Sequence, residues 1–64
     1  MKRYAVVAFN PEDAEKAREW FPRHFCQAEP RESWSLTTSA WTADLSAPAA
    51  EELRRLGLRC RPDL

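Results

Sequence analysis

A histidine and two cysteines are the residues of this 64-residue sequence that could take part in chemistry. His24 and Cys26 are two positions apart, so in an extended segment their side chains would point the same way. His24 could then lower the pKa of the Cys26 thiol and activate it as a nucleophile. Adding Cys60 would complete a three-ligand metal site. In the alternative, structural interpretation, Phe25 anchors the loop, His24 is solvated and Cys26 packs as a small apolar group.

The rest of the sequence offers little support for catalysis. Glu12, Glu15 and Glu19 recur at helical spacing, but they lie opposite the apolar stripe of their helix, which is typical of a solvated face. The single glycine excludes the glycine-rich loops that hold phosphates, and the single histidine excludes the usual zinc and hydrolase sites. We therefore adopt the structural interpretation of His24 and the cysteines. It predicts a protein that is not an enzyme and has no metal and no cofactor.

Basic side chains form the candidate binding surface. In the fold predicted below, the start of the first strand, the loop after the first helix and the end of the last strand lie at one end of the molecule. Acidic residues gather at the other end. Helix termini favour such a polarity by themselves, but this effect does not act on residues in strands. The predicted basic pole, with His24 beside it, consists of Lys2, Arg3, Arg23, Arg31, Arg59 and Arg61.

Length and composition limit the class of protein. Residues 1–64 suffice for a single domain, and a chain this short buries only about 60% of the surface that its unfolded form exposes. Lys plus Arg and Asp plus Glu both number 10, so any electrostatic function depends on how the charges are arranged. We find no secretory signal and no apolar run of the roughly 20 residues that span a bilayer. We therefore expect a cytoplasmic protein whose Cys26 and Cys60 are free thiols.

The first half of the chain is predicted to contain a strand and a helix. Residues 3–9 are β-rich and apolar on both alternating faces, as in a central strand. Asn10 should then cap a helix over residues 11–21 with its side chain. Pro11 suits the first helical position, because its fixed φ angle is already close to that of a helix. Pro22 should end or kink this helix. Residues 23–32 have no clear period and are predicted to form a loop.

A hairpin is predicted from a change of parity in the middle of the chain. Trp34 and Leu36 share one parity, whereas Trp41 and Ala43 share the other. A turn at residues 38–39 would pair Leu36 with Trp41 and Trp34 with Ala43, so that the large side chains all face the core. The turn lacks the Gly or Asn that two-residue turns prefer, so a wider loop in the same register is an alternative.

The last part of the chain is predicted to contain a helix that opens at Ser46, Ala47 and Pro48 and ends sharply. Ala49, Leu53 and Leu56 form its apolar stripe. Gly57, the only glycine, should end this helix in a left-handed conformation. Residues 58–61 alternate apolar and basic side chains, as a short edge strand does.

These elements predict an α+β fold, a compact βαββα(β) chain of the ferredoxin-like, split-βαβ type with an antiparallel sheet and two helices on one face. The first and third strands would be central. The first strand carries a second apolar set, Ala5, Val7 and Phe9, which alternates with Tyr4, Val6 and Ala8. Because the helices cover only one face of the sheet, some of this second set should meet a partner, a second copy or a folded-over loop. We favour a homodimer or a partner interface.

Two functions from different classes fit these features. The first is a small protein-binding module or inhibitor that occupies a surface of a larger partner through a sheet edge or the basic pole. Small size and missing catalytic motifs are also typical of phage-encoded anti-defence proteins such as anti-CRISPRs. The second is a nucleic-acid binder that uses the basic pole, and Trp34 and Trp41 could stack on bases if they faced outward. Zero net charge and inward-facing Trp rings favour a protein partner, and we expect no contact with a membrane.

Overall fold

The computed structural model describes residues 1–32 and 35–63 of the chain. Over these residues the elements are β1 (Lys2–Ala8), α1 (Pro11–Arg23), β2 (Ala28–Arg31), β3 (Ser39–Leu45), α2 (Ala47–Arg55) and β4 (Arg59–Pro62). The strands form one antiparallel sheet in the order β2-β3-β1-β4. β1 and β3 are therefore central and β2 and β4 are edges, which confirms the predicted α+β, ferredoxin-like arrangement.

The core lies between one face of this sheet and the two helices. β1 and β3 pair so that Val6 lies opposite Trp41 and Tyr4 lies opposite Ala43, and all four side chains are buried. The ring of Phe21 from α1 packs against Trp41 with the ring centroids 5.7 Å apart. The prediction that Trp41 faces the core is therefore confirmed. The helices add Ala14, Ala17, Trp20, Phe21, Ala50 and Leu53 to the buried set.

α1 begins as predicted and ends later than predicted. The Asn10 side chain accepts a hydrogen bond from the Asp13 amide at 2.8 Å and donates one to the Asp13 carboxylate at 3.0 Å. The prediction that the helix ends at Phe21 is wrong, because it continues through Pro22 to Arg23. Pro22 removes one amide donor near the end of the helix, where the loss affects only the last turn. The chain beyond it is held by the Cys26 amide, which donates to the Phe21 carbonyl at 2.8 Å.

Both helices end in a left-handed residue. At α2 this residue is Gly57 with φ +103°, and the Leu58 amide donates to the Leu53 carbonyl at 3.1 Å, as in a Schellman motif. The predicted glycine stop is confirmed. α1 ends in the same hydrogen-bond pattern, but its left-handed residue is Phe25, with φ 52° and a side chain 97% exposed. The expectation that Phe25 anchors a loop is therefore wrong.

The apolar stripe of α2 is rotated slightly from its prediction. Ser46 caps the helix by accepting a hydrogen bond from the Ala49 amide at 3.3 Å. Leu53 is buried as expected, together with Ala50, whereas Ala49 is only partly buried and Leu56 lies at the margin. The side of the helix that faces the sheet is therefore centred on Ala50 and Leu53.

The predicted hairpin is wrong in its first strand. β2 lies at residues 28–31, inside the segment predicted to be a loop, and it places Pro30 opposite Trp41 and Ala28 opposite Ala43. Leu36 follows this strand and is fully exposed. Trp34 lies outside the described residues. Proline is tolerated in an edge strand, where its missing N–H can face solvent. Pro30 therefore favoured a loop in the prediction, although it is compatible with the edge strand that forms.

Candidate functional site

The face of the sheet that the helices leave uncovered has small residues at its centre and charged residues at its edges. The pairing registers define two rows across this open face, each running from the β2 edge to the β4 edge. The first row contains Arg31, Ala40, Val7 and Arg59. The second row contains Glu29, Thr42, Ala5 and Arg61. The centre is therefore a shallow trough, because the side chains of β1 and β3 are shorter than those on both sides.

A groove of about 400 Å³ lies on this open face. Val7, Phe9 and Ala40 supply its apolar lining, and Arg59 and Arg61 border it from β4. Residues 32, 35 and 38, from the segment between β2 and β3, also line it. The side chain of Phe9 is 54% exposed, which is unusual for an aromatic ring beside a sheet. Val7 and Phe9, two members of the predicted second apolar set, therefore line an accessible groove.

Ion pairs neutralise some of the arginines on the open face. The guanidinium of Arg3 lies 3.3 Å from the Glu29 carboxylate, and that of Arg31 lies 3.7 Å from the Asp63 carboxylate. Arg3 and Glu29 lie on strands that are not neighbours, and Arg31 on β2 reaches Asp63, which follows β4, so these side chains extend across the face. Arg59 and Arg61 have no ionic partner within the described residues. Both are exposed, and they are the arginines at the groove whose charge is not compensated.

The structure brings together four of the six residues predicted to form a basic pole. Arg3, Arg31, Arg59 and Arg61 share the open face, as their alternation with the buried positions requires. Lys2 has the parity of the buried residues Tyr4 and Val6 and so belongs to the side of the helices. Arg23 lines a cleft between the helices.

The six candidates therefore do not gather at one end of the molecule, as a pole would require. Four of them lie on one face of the sheet instead. Arg31 and Arg59 lie in the row of Val7, near the end of β1, whereas Arg3 lies near its start. Sequence reasoning placed Val7 and Phe9 in the second apolar set of the first strand, but it missed Ala40 and the position of this set beside Arg59 and Arg61. The signal for that position was parity, because Arg59 and Arg61 alternate with the buried Cys60 as Val7 alternates with the buried Val6.

Both edges of the sheet are poor templates for another strand. The Asp63 amide donates to the Arg3 carbonyl at 2.8 Å, so Asp63 and Arg3 form a hydrogen-bonded pair of the antiparallel ladder. Hydrogen-bonded and non-hydrogen-bonded pairs alternate along such a ladder, so the N–H and C=O groups of Cys60 point away from β1. The Arg54 guanidinium donates to the outward Cys60 carbonyl at 2.9 and 3.2 Å. Pro62 has no N–H to offer. The β2 edge carries a proline as well, Pro30.

A cluster between the helices accounts for the histidine. The His24 ring stacks on Trp20 with the centroids 4.0 Å apart, and its Nδ1 lies 2.9 Å from the Trp20 carbonyl oxygen. The Glu52 carboxylate accepts a hydrogen bond from Trp20 Nε1 at 3.3 Å and lies 3.6 Å from His24 Nε2. These contacts tie the end of α1 to α2. The His24 side chain is nevertheless 42% exposed, so the expected solvated position is confirmed, with the ring stacked on Trp20.

The two cysteines are free thiols in apolar surroundings. Burial raises the pKa of the Cys26 thiol, and the nearby Asp44 carboxylate raises it further. Burial also raises the pKa of the Cys60 thiol, although the Arg54 charge acts in the opposite direction. Both thiols are thus held protonated at neutral pH, which disfavours a nucleophilic role. Residues 1–32 and 35–63 contain no group of three or more His, Cys, Asp or Glu side chains that could hold a metal ion.

Comparisons with known proteins do not assign this chain to a family. No helix in the described part of the chain combines the length and the apolar character needed to cross a membrane. No protein-family model, no curated protein and no solved structure matches the chain.

Proposed function

We propose that this chain is a non-enzymatic protein-binding module of the cytoplasm, which uses the open face of its sheet to occupy a surface of a larger partner. The observation that supports this most is the groove on that face, where Val7 and the exposed Phe9 lie beside Arg59 and Arg61. Protein interfaces typically combine an apolar, aromatic centre with a polar rim, and arginine is enriched in them.

The protection of both sheet edges favours the open face as the binding surface. Arg54 occupies an outward carbonyl of β4, and prolines stand on both edge strands, so a partner gains little by adding a strand. By occupying that surface, the chain would inhibit the partner. A 64-residue chain can block a surface, as phage anti-defence proteins do.

Nucleic acid is the weaker candidate for this face. The open-face residues of β1 and β3 are Arg3, Ala5, Val7, Ala40, Thr42 and Asp44. None of these is aromatic, and the exposed Phe9 beside the groove offers one ring on which a base could stack. Carboxylates lie among the arginines and would repel a polyanion. We therefore expect no gel shift with DNA or RNA at physiological salt.

Site-specific photo-crosslinking in the producing cells tests the proposal. A benzoylphenylalanine at position 9 places the reactive group in the groove, and the same residue at position 25 is the matched control. Both positions are phenylalanines that are at least half exposed, at 54% and 97%. We expect a discrete adduct with a protein from position 9, resistant to nuclease and absent from position 25.

Charge reversal provides the second control for this experiment. Arg59→Glu with Arg61→Glu should remove the adduct, whereas Lys2→Glu with Arg55→Glu should leave it, because Lys2 and Arg55 lie outside the groove. An adduct that nuclease destroys, or one that forms equally from position 25, would overturn the proposal.

A further inference from the structure

We infer that the groove takes an extended acidic segment of the partner, with two carboxylates spaced two residues apart and one apolar anchor. This inference rests on the proposed protein-binding function and adds the chemistry of the partner. It follows from three features of the open face: two uncompensated arginines, an apolar lining, and a carboxylate at the opposite border.

The arginines set the charge and the spacing. Arg59 and Arg61 are two residues apart on β4 and point to the same face, which separates their Cα atoms by about 6.6 Å. An extended peptide repeats its side chains at the same interval, so carboxylates at positions i and i+2 would match both guanidinium groups. Arg3 and Arg31 are already engaged by Glu29 and Asp63, which leaves the β4 pair for the partner.

The apolar lining sets the second requirement. Val7, Phe9 and Ala40 leave a groove of about 400 Å³ next to the arginines. An aliphatic or aromatic side chain there would bury the exposed part of Phe9 and exclude water from the arginine–carboxylate pairs, which strengthens them.

The remaining charge in the groove sets its polarity. Glu32 lines the border formed by the segment between β2 and β3, away from β4. A partner carboxylate at that border would be repelled, so the acidic residues should lie along β4 only. The segment should also bind through its side chains rather than as an added strand, because Arg54 covers the outward Cys60 carbonyl.

Selection of peptides from a displayed random library tests this directly. The immobilised wild-type protein should enrich sequences with Asp or Glu at i and i+2 beside an aliphatic or aromatic residue. Synthetic versions are then measured by fluorescence polarisation. Replacing both acids by Asn or Gln should weaken binding by about tenfold or more, since charge-assisted pairs are lost without a change of shape.

Charge exchange makes the test specific. The Arg59→Glu, Arg61→Glu variant should lose the acidic peptide and bind the same peptide with Lys at both acidic positions. The Lys2→Glu, Arg55→Glu variant should bind like wild type. Circular dichroism and a melting curve establish that each variant is folded.

The outcomes separate this inference from the proposed function. If the enriched peptides are not acidic but compete with each other and lose binding on Val7→Arg, the acidic partner is wrong and the protein-binding face stands. If no peptide depends on Val7, Arg59 or Arg61, both are wrong. Binding of single-stranded RNA that is lost on reversal of Arg59 and Arg61 would replace the acidic peptide with a polyanion and overturn the inference.

Discussion

Phe25 and Gly57 hold equivalent positions, because each is the left-handed residue that ends a helix. Glycine has no Cβ and accepts this conformation freely, whereas a bulky residue with positive φ is strained by about 1–2 kcal/mol. Phe25 is also 97% exposed, so burial of its ring returns almost nothing. The strain is therefore tolerated for the hydrogen bond from the Cys26 amide to the Phe21 carbonyl, which closes α1.

A substitution at Phe25 and a substitution at Gly57 should change the free energy of unfolding in opposite directions. Phe25→Gly should raise the free energy of unfolding by about 1 kcal/mol, because it relieves the strained conformation. Gly57→Ala should lower it by a similar amount. The added Cβ would lie 3.4 Å from the Asp13 carboxylate oxygens, an ordinary contact, so the cost comes from the backbone.

Urea unfolding monitored by circular dichroism measures both changes. Phe25→Leu is the control, since it alters the side chain and keeps the strain, and it should leave stability nearly unchanged. A lower stability of Phe25→Gly would show instead that the ring makes a stabilising contact.

At the scale of elements, strong local signals made most of the fold predictable from the sequence. Asn10 before a proline, Ser46 as a cap and the single glycine at 57 each specify a helix boundary by their own hydrogen bonds or conformation. β2 could not be predicted in this way. Its residues Ala28 and Pro30 are weak strand formers, and they pair with β3 because Trp41 and Ala43 need partners at the edge of the core.

The candidate site was harder to predict because it depends on pairing across the sheet. The charges of Arg59 and Arg61 are visible in the sequence, but their neighbours Val7 and Ala5 are more than 50 positions away along the chain. A prediction that assigned the wrong first strand to the hairpin could not place Arg31 and Glu29 on the same face. The open face therefore emerged only from the registers.

The edge of β4 should be protected by a side chain and a proline. Arg54→Met would free the outward Cys60 carbonyl, and Pro62→Val would add an N–H to the chain. The double variant should associate through its β4 edges, because an exposed ladder pairs with its copy. We expect its mass by light scattering to rise with concentration more steeply than that of wild type.

Arg55→Met with Pro62→Val is the control for this experiment, since the Arg55 side chain makes no hydrogen bond or ion pair among the described residues. It should associate less than the double variant that includes Arg54→Met. Equal association of the two would mean that Arg54 does not protect the edge.

At the scale of the whole molecule, a small core makes each large buried side chain important. Leu53 and Val6 are the largest fully buried side chains among residues 1–32 and 35–63. A chain of 64 residues has a free energy of unfolding of about 3–10 kcal/mol at typical values per residue. Loss of one large core side chain is thus comparable with the total.

Leu53→Ala and Leu36→Ala should therefore differ sharply. Leu53→Ala should lower the free energy of unfolding by about 2–5 kcal/mol and leave much of the protein unfolded. Leu36→Ala removes the same atoms from a fully exposed side chain and should change the melting temperature little. A large loss in Leu36→Ala would restore the hairpin that pairs Leu36 with Trp41.

The position of β1 between β3 and β4 has a consequence for synthesis. β1 leaves the ribosome first of the four strands, β3 pairs with it some 40 residues later, and β4 covers its other side last. Until Arg59 has emerged, the nascent chain carries the apolar segment Tyr4–Ala8 as an unprotected edge. Chains interrupted before that point should be bound by chaperones or should aggregate, whereas finished chains escape both.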